Sequence, residues 1–291
     1  VIGPLSLWER LGRLGVVLEM IKFEHTVFAL PFAFMGLLLA RRGAPDLHTA
    51  LWVLAAMIGA RSAAMAFNRL TDAAIDARNP RTASRALPRG LVSRAFVIWF
   101  TVGSGALLMF AAWQLNRTCF LLSPLALALV MGYSYTKRFT PFSHLVLGAA
   151  LGLSPIGGWL AAGEPLAAPP LLLGAGVLLW VGGFDILYSL LDLDFDRREG
   201  LCSLPSRLGA PRALLLARLL HAGSAALFVA AGLAAHLSPL YFVGTAVVAV
   251  FLIAQHMLVS PGDLSRLNLS FFTLNGAVSA VLLISAALGI W

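Results

Sequence analysis

Long apolar runs separated by shorter polar stretches dominate the chain. They cover residues 21–40, 47–70, 95–113, 119–135, 145–162, 171–191, 213–235, 239–259 and 271–291. Each comes near the roughly 20 apolar residues that a membrane-spanning helix needs. Lipid offers the backbone no hydrogen-bonding partner, so such spans close their bonds internally and are predicted to be helical. The pattern predicts an all-α polytopic membrane protein with nine transmembrane helices around a central cavity. Ahead of the first run, residues 1–20 hold Glu9, Arg10, Arg13 and Glu19, and no small-residue cleavage pattern follows an apolar core. An amphipathic helix on the membrane surface fits this segment better than a signal peptide.

Composition excludes a soluble domain. Only 12% of residues are charged and 59% are hydrophobic, against about 25% charged in soluble proteins. The net charge of +8 would suggest nucleic acid in a soluble chain, but topology accounts for it here and no nucleic acid is implied. Arg10, Arg13, Lys22, Arg78, Arg81, Arg85, Arg89, Arg94, Lys137, Arg138, Arg197, Arg198, Arg207, Arg212 and Arg266 all fall on one side of a nine-span topology. Only Arg41, Arg42 and Arg117 fall opposite. The positive-inside rule then puts the amino terminus in the cytoplasm and the chain in the cytoplasmic (inner) membrane. No linker divides residues 1–291, which read as a single domain, and no obligate protein partner is evident. Cys119 and Cys202 lie in separate segments and predict no disulfide.

Six of the thirteen carboxylates sit in two short stretches that close the second and sixth runs. Acid at membrane depth is costly, about 2.5–3.5 kcal/mol for an Asp at a helix centre, so these residues need a partner. Steps of four on a helix place Asn68, Asp72 and Asp76 on one stripe. Asp185, Tyr188, Asp192 and Asp196 form a second, and Asp194 points away from it. A long basic loop follows each stripe, 77–94 and 193–212, and this four-helix spacing suggests a pseudo-repeat of two halves facing the cavity. Two facing rows of hard oxygen ligands suit Mg²⁺, which completes its coordination with phosphate. Thiolate and imidazole ligands for zinc are absent from both stripes. Arg78, Arg81, Arg85 and Arg89 follow the first motif, and guanidinium groups pair with phosphate oxygens. Lys137 and Arg138, just after Tyr133 and Tyr135, add cations on the same side.

Several other residues read as structural. Lys22, Glu24 and His25 are expected to anchor the first span at the interface, with a reach into the cavity the alternative for Lys22. His144, His221, His236 and His256 show no ligand spacing. Arg61 lies two turns before Asn68 and is expected to face the cavity or a buried acid rather than lipid. Gly157, Gly158, Gly182 and Gly183 are expected to allow close helix packing.

The spacing Asn68-x3-Asp72-x3-Asp76 followed by the Pro80–Pro88 segment, and Asp185-x2-Tyr188-x3-Asp192-x3-Asp196, resemble the two signatures of the UbiA superfamily of intramembrane aromatic prenyltransferases. The 133–140 stretch, Leu147-Gly148, residues 21–31, Gln255-His256 and Asn275-Gly276 are similar to its 4-hydroxybenzoate polyprenyltransferase branch, some of whose members serve menaquinone synthesis through dihydroxynaphthoate. Arg69 and Pro205 depart from the common pattern. The resemblance implies Mg²⁺ as cofactor, with a polyprenyl diphosphate and a hydroxylated aromatic acid as substrates. It implies Asn68, Asp72, Asp76, Asp185, Asp192 and Asp196 as metal ligands, with Asp72, Asp76, Asp192, Asp196 and Tyr188 at the chemistry. Arg78, Arg85, Lys137 and Arg138 would hold diphosphate, and Tyr133, Tyr135 or Tyr188 would face an allylic cation. The acceptor carboxylate calls for an Arg or Lys that the sequence does not single out. Rival readings are a cation-coupled transporter, which needs acids near mid-membrane and no basic loop, and a sister prenyltransferase for haem or chlorophyll.

Overall fold

The computed structural model describes residues 12–22, 26–259, 264, 267 and 273–291, and among them every regular element is helical. A short helix α1, Gly12–Met20, precedes the apolar elements. These are α2 Thr26–Arg41, α3 Leu47–Arg78, α4 Arg94–Leu115, α5 Arg117–Thr136, α6 Ser143–Ala161 and α7 Ala168–Ser189. One 3₁₀ turn, Leu190–Asp192, carries α7 into α8, Leu193–Glu199, and Gly200 with φ +68° ends it. The chain continues through α9 Leu204–Leu208, α10 Ala210–Ala234, α11 Pro239–Leu258 and α12 Asn275–Gly289.

Seven of these segments are long and apolar enough to cross a membrane: α3, α4, α5, α6, the α7–α8 unit, α10 and α11. The first and last expected spans are shorter, since α2 has 16 residues and α12 has 15. At 1.5 Å per residue they reach about 24 and 22 Å, less than the roughly 30 Å of hydrocarbon. The second run extends past its expected end at residue 70, so Asp72 and Asp76 lie inside α3. Of the segment 1–20, expected to be an amphipathic surface helix, residues 12–20 are helical; residues 1–11 lie outside the described residues, as do Glu24, His25 and Arg266.

Side-chain caps start three of the spans. Asp46 accepts from the Thr49 amide ahead of α3, Ser93 from Phe96 ahead of α4, and Asn116 from Cys119 ahead of α5. Such caps satisfy amides that the first helical turn leaves unbonded. Helices adjacent in sequence pack on one another, and α12 returns to lie against α2.

Two glycine seams set the closest crossings. A Cβ on Gly36 would fall on the Pro155 carbonyl, and one on Gly158 on the Ala33 carbonyl, so α2 and α6 approach backbone to backbone. The same holds between α6 and α7, where Gly148 meets Leu178 and Gly152 meets Gly174. Small residues of this kind let helices pack closely where no hydrophobic effect drives them together. Gly182 and Gly183 serve contacts as expected, against Leu145 and His221. Gly157 does not, because space is open beside it.

The core is unevenly filled. Aromatic side chains of α2, α7, α10 and α11 (Phe28, Phe32, Trp180, Phe184, Phe228 and Tyr241) form a continuous buried cluster. A cavity of about 420 Å³ instead lies among α2 to α6. The cavity expected between two equivalent halves is thus walled by the first five apolar helices, because the aromatic cluster closes the other side.

Candidate active site

Cavity and acids lie on the same helical stripes. On α3, Ala60, Arg61, Ala64 and Met65 line the cavity, and the step of four from Ala60 and Ala64 leads to Asn68, Asp72 and Asp76. On α5, Ala126, Val130 and Tyr133 line it, and one further turn brings Lys137. An apolar chamber therefore grades into a charged end along two neighbouring helices. Arg61 is the one charged side chain among the described residues lining that chamber, as the sequence led one to expect.

Each acid of the first stripe is held by cations. Buried Asp72 accepts from Lys137 Nζ at 2.6 Å, Arg138 Nη2 at 3.1 Å and Asn68 Nδ2 at 2.9 Å. Buried Asp76 takes Arg85 Nη1 on both oxygens at 2.7 Å, with Arg69 Nη1 at 4.0 Å from Oδ2. Charges at such depth persist only when paired and hydrogen-bonded. Of the predicted phosphate cations, Arg85, Lys137 and Arg138 do lie on these acids. Arg78 lies apart from them: it is 55% exposed and pairs with Glu199 at 2.8 Å.

The second stripe bends through the 3₁₀ turn and is held from the loop after α3. Asp192 accepts from Arg81 through both Nε and Nη2, and from Asn79 Nδ2 at 2.9 Å. The same guanidinium donates to the Tyr188 hydroxyl at 3.2 Å and lies 5.2 Å from its ring centre. Burial works against the Arg81 charge, and the hydrogen bond and charge of Asp192 more than offset it, raising its pKa above the ordinary guanidinium value. Asp196 lies beside Asp192 and the Ser203 hydroxyl. Asp194 is exposed, as its spacing predicted. Asp185 accepts from His144 Nδ1 at 2.7 Å.

Beside these acids a polar pocket of about 260 Å³ is lined by Glu19, Lys22, Arg69, Arg81, Arg85 and Tyr188, among others. Lys22 thus borders the site, although its place at the end of a span read as an interfacial anchor. Tyr133 is half-buried at the cavity floor, close enough to Arg61, Asp72 and Asp185 to feel their charges. Tyr135 departs from expectation. It is 46% exposed and packs on Phe67 and Arg138 at the outer surface.

Arg69, Asn79, Arg81 and His144 join the site without having been singled out as site residues. Arg81 and Asn79 had a signal, since they flank the Pro80 that opens the basic segment. Arg69 stood out only as a departure from a common acid. His144 had none, because its partner lies 41 residues away on another helix.

Among the described residues no three carboxylate, imidazole or thiol groups gather into a ready-made metal cage. The donor chemistry suits a hard cation that takes one or two carboxylates from the protein and its remaining ligands from substrate phosphates, as Mg²⁺ does. Asn68, Asp72 and Asp76 on one side and Asp185, Asp192 and Asp196 on the other are the residues that could hold it.

Residues 29–277 match the UbiA prenyltransferase family. A 4-hydroxybenzoate octaprenyltransferase of Alkalilimnicola ehrlichii is 30% identical over 263 residues, 87% of each chain. One of Serratia proteamaculans is 29% identical over 261 residues, 88% of each. The apo structure of a UbiA homolog from Aeropyrum pernix K1 superposes with a TM-score of 0.83 at 38% identity, over 92% of this chain and 98% of that one. A UbiA homolog from Archaeoglobus fulgidus bound to GPP and Mg²⁺ shares the fold, with a TM-score of 0.69 at 20% identity over 94% and 99% of the two chains. This chain belongs to the UbiA prenyltransferase family and is a polyprenyltransferase.

Proposed function

We propose that this enzyme moves a polyprenyl group from its diphosphate to the ring carbon ortho to the hydroxyl of an aromatic acid, 4-hydroxybenzoate, in quinone biosynthesis. The observation that carries the reading is the gradient along α3 and α5 from an apolar chamber to paired aspartates and basic side chains. A prenyl diphosphate has that same polarity along its length. The relatives named 4-hydroxybenzoate octaprenyltransferase support the acceptor. In this reading the seven long helices and the two shorter apolar ones make nine crossings in two related halves. The amino terminus and the active site face the cytoplasm.

Asn68, Asp72, Asp76, Asp185, Asp192 and Asp196 would hold Mg²⁺, which when bound neutralises charge on the diphosphate. Arg81, Arg85, Lys137 and Arg138 bind phosphate oxygens, and Lys22 and Arg69 border the same pocket. The C–O bond to the prenyl group breaks, its electron pair leaves with diphosphate, and the ring carbon forms the new C–C bond before losing its proton. Tyr133 and Tyr188 offer ring faces to the allylic cation. The tail lies along the cavity, which reaches the lipid-facing surface beside α5, where the lining residue Leu125 is 69% exposed.

Arg61 takes the acceptor carboxylate, because it places a cation in an otherwise uncharged chamber beside Tyr133. A hydrogen bond to a charged group is worth about 1.5–3 kcal/mol. Arg61→Leu is therefore expected to raise the acceptor KM about 10- to 150-fold, at 1.36 kcal/mol per tenfold, with the KM for prenyl diphosphate unchanged. An unaltered acceptor KM would remove Arg61 from this role. The whole reading is tested with purified protein, Mg²⁺ and a polyprenyl diphosphate, offered 4-hydroxybenzoate and dihydroxynaphthoate in parallel. Prenylated 4-hydroxybenzoate is the expected product. Transfer to the naphthoate alone would assign the menaquinone alternative, and transfer to neither would overturn the reading.

A further inference from the structure

His144 sits outside both acidic signatures, yet it is tied to one of them at each end of its ring. Its Nδ1 lies 2.7 Å from Asp185 Oδ2, and its Nε2 accepts the Leu204 amide at 3.4 Å. An imidazole nitrogen that accepts a hydrogen bond carries no proton, so the proton is on Nδ1 and points at the carboxylate. The imidazole side chain is 4% exposed and that of Asp185 27%. Asp185 Oδ1 takes no hydrogen bond from the described residues, so one oxygen is committed and the other is open.

Two features hold this contact in place. His144, Gly148 and Gly152 follow steps of four along α6, and Gly174, Leu178 and Asp185 follow steps of four and seven along α7. Gly152 meets Gly174 and Gly148 meets Leu178 in the glycine seam, so His144 with Asp185 is the next rung toward the cytoplasm. The second feature is the segment 202–204. The Cys202 amide donates to the Lys137 carbonyl at 2.8 Å, and Ser203 and Ser206 cap α9 reciprocally. The Leu204 amide is thereby fixed where it meets Nε2, while the Lys137 side chain reaches Asp72.

We propose that His144 is a positioning residue: locked by the α6–α7 seam and the Leu204 amide, it fixes Asp185 so that Oδ1 is presented to the metal–diphosphate site. This rests on the proposed function for what Asp185 binds. The hydrogen bonds themselves do not depend on it. Partners that orient a ligand in this way typically change metal affinity or activity 10- to 100-fold.

The test uses full-length protein in detergent micelles, with Mn²⁺ titrated in the presence of geranyl diphosphate and followed by electron paramagnetic resonance. His144→Ala is expected to weaken Mn²⁺ binding about 10- to 100-fold. His144→Asn, whose side-chain amide can stand where Nδ1–H stood, is expected to recover most of it. In an Asp185→Ala background, His144→Ala is expected to add little, because two residues acting through one contact are not additive. Unchanged Mn²⁺ affinity in His144→Ala, or a full additional loss in the double variant, would overturn the proposal. So would failure of His144→Asn to bind better than His144→Ala. Spectra of ¹⁵N-histidine-labelled protein without metal read the geometry independently of function. The His144 resonance, identified by its loss in His144→Asn, is expected as the Nδ1–H tautomer, and an Nε2–H tautomer would overturn the assignment. Wild-type protein that passes both measurements yet transfers no prenyl group would refute the proposed function alone.

Discussion

Asp72→Ala and Asp192→Ala are each expected to cut prenyl transfer by about 10³-fold or more, the scale on which removing electrostatic stabilisation of a departing group acts. Raising Mg²⁺ should not restore either variant. Asp72 anchors Lys137, Arg138 and Asn68 at once, so its loss removes a carboxylate and also frees the cations that would meet phosphate. Asp192 does the same for Arg81 and Asn79. Both variants should still fold. The Lys137 and Arg138 side chains are each 31% exposed, and water screens a cation left at that depth. Melting curves in detergent separate the two outcomes: a wild-type melting temperature with lost transfer supports a role in the site. Full activity in either variant would take that aspartate out of the metal set.

The two acid stripes and the basic loop were legible in the sequence because a helix repeats every 3.6 residues. Steps of four therefore place Asn68, Asp72 and Asp76 together before any tertiary contact is known. The same geometry carried a warning about the tyrosines. Tyr133 and Tyr135 are two residues apart, about 200° around the axis, so one helix cannot aim both at the cavity, and Tyr135 lies outside. What spacing cannot supply is which cation meets which acid. Arg78, Arg81 and Arg85 are equivalent as members of a basic loop. The chain turns after Asn79, leaving Arg78 toward Glu199, Arg81 on Asp192 and Arg85 back on Asp76. A loop that reverses direction has no period to read.

Helices of membrane-spanning length were legible in the seven long runs and less so at the ends. The apolar stretches at 21–40 and 271–291 look like the others by composition. In the structure they yield helices of 16 and 15 residues among the described positions. Composition also gave no hint that aromatic side chains would fill one side and leave a chamber on the other. That asymmetry depends on which face Trp180, Phe228 and Tyr241 present, and on the close crossing of α2 and α6 behind the chamber.

The crossing leads to a sharp contrast between neighbouring glycines. Gly158→Ala is expected to destabilise the folded protein by roughly 1–3 kcal/mol or more, the scale of overpacking. A methyl at this position meets the Ala33 carbonyl, a backbone atom that cannot rotate aside as a side-chain tip would. The helices must separate, and Gly36 against Pro155 loses its fit in the same motion. Gly157→Ala one residue earlier is the control. A Cβ there touches nothing within 4 Å, and alanine favours a helix over glycine by about 1 kcal/mol. Thermal melting in detergent should therefore show a clear loss for Gly158→Ala and none for Gly157→Ala. Equal melting temperatures would mean that α2 and α6 do not cross at the contact described. Because α2 and α6 both wall the cavity, the Gly158 variant should also bind prenyl diphosphate less tightly at temperatures where it is still folded. Packing of one glycine in the apolar wall is thereby coupled to occupancy of the chamber that the acids serve.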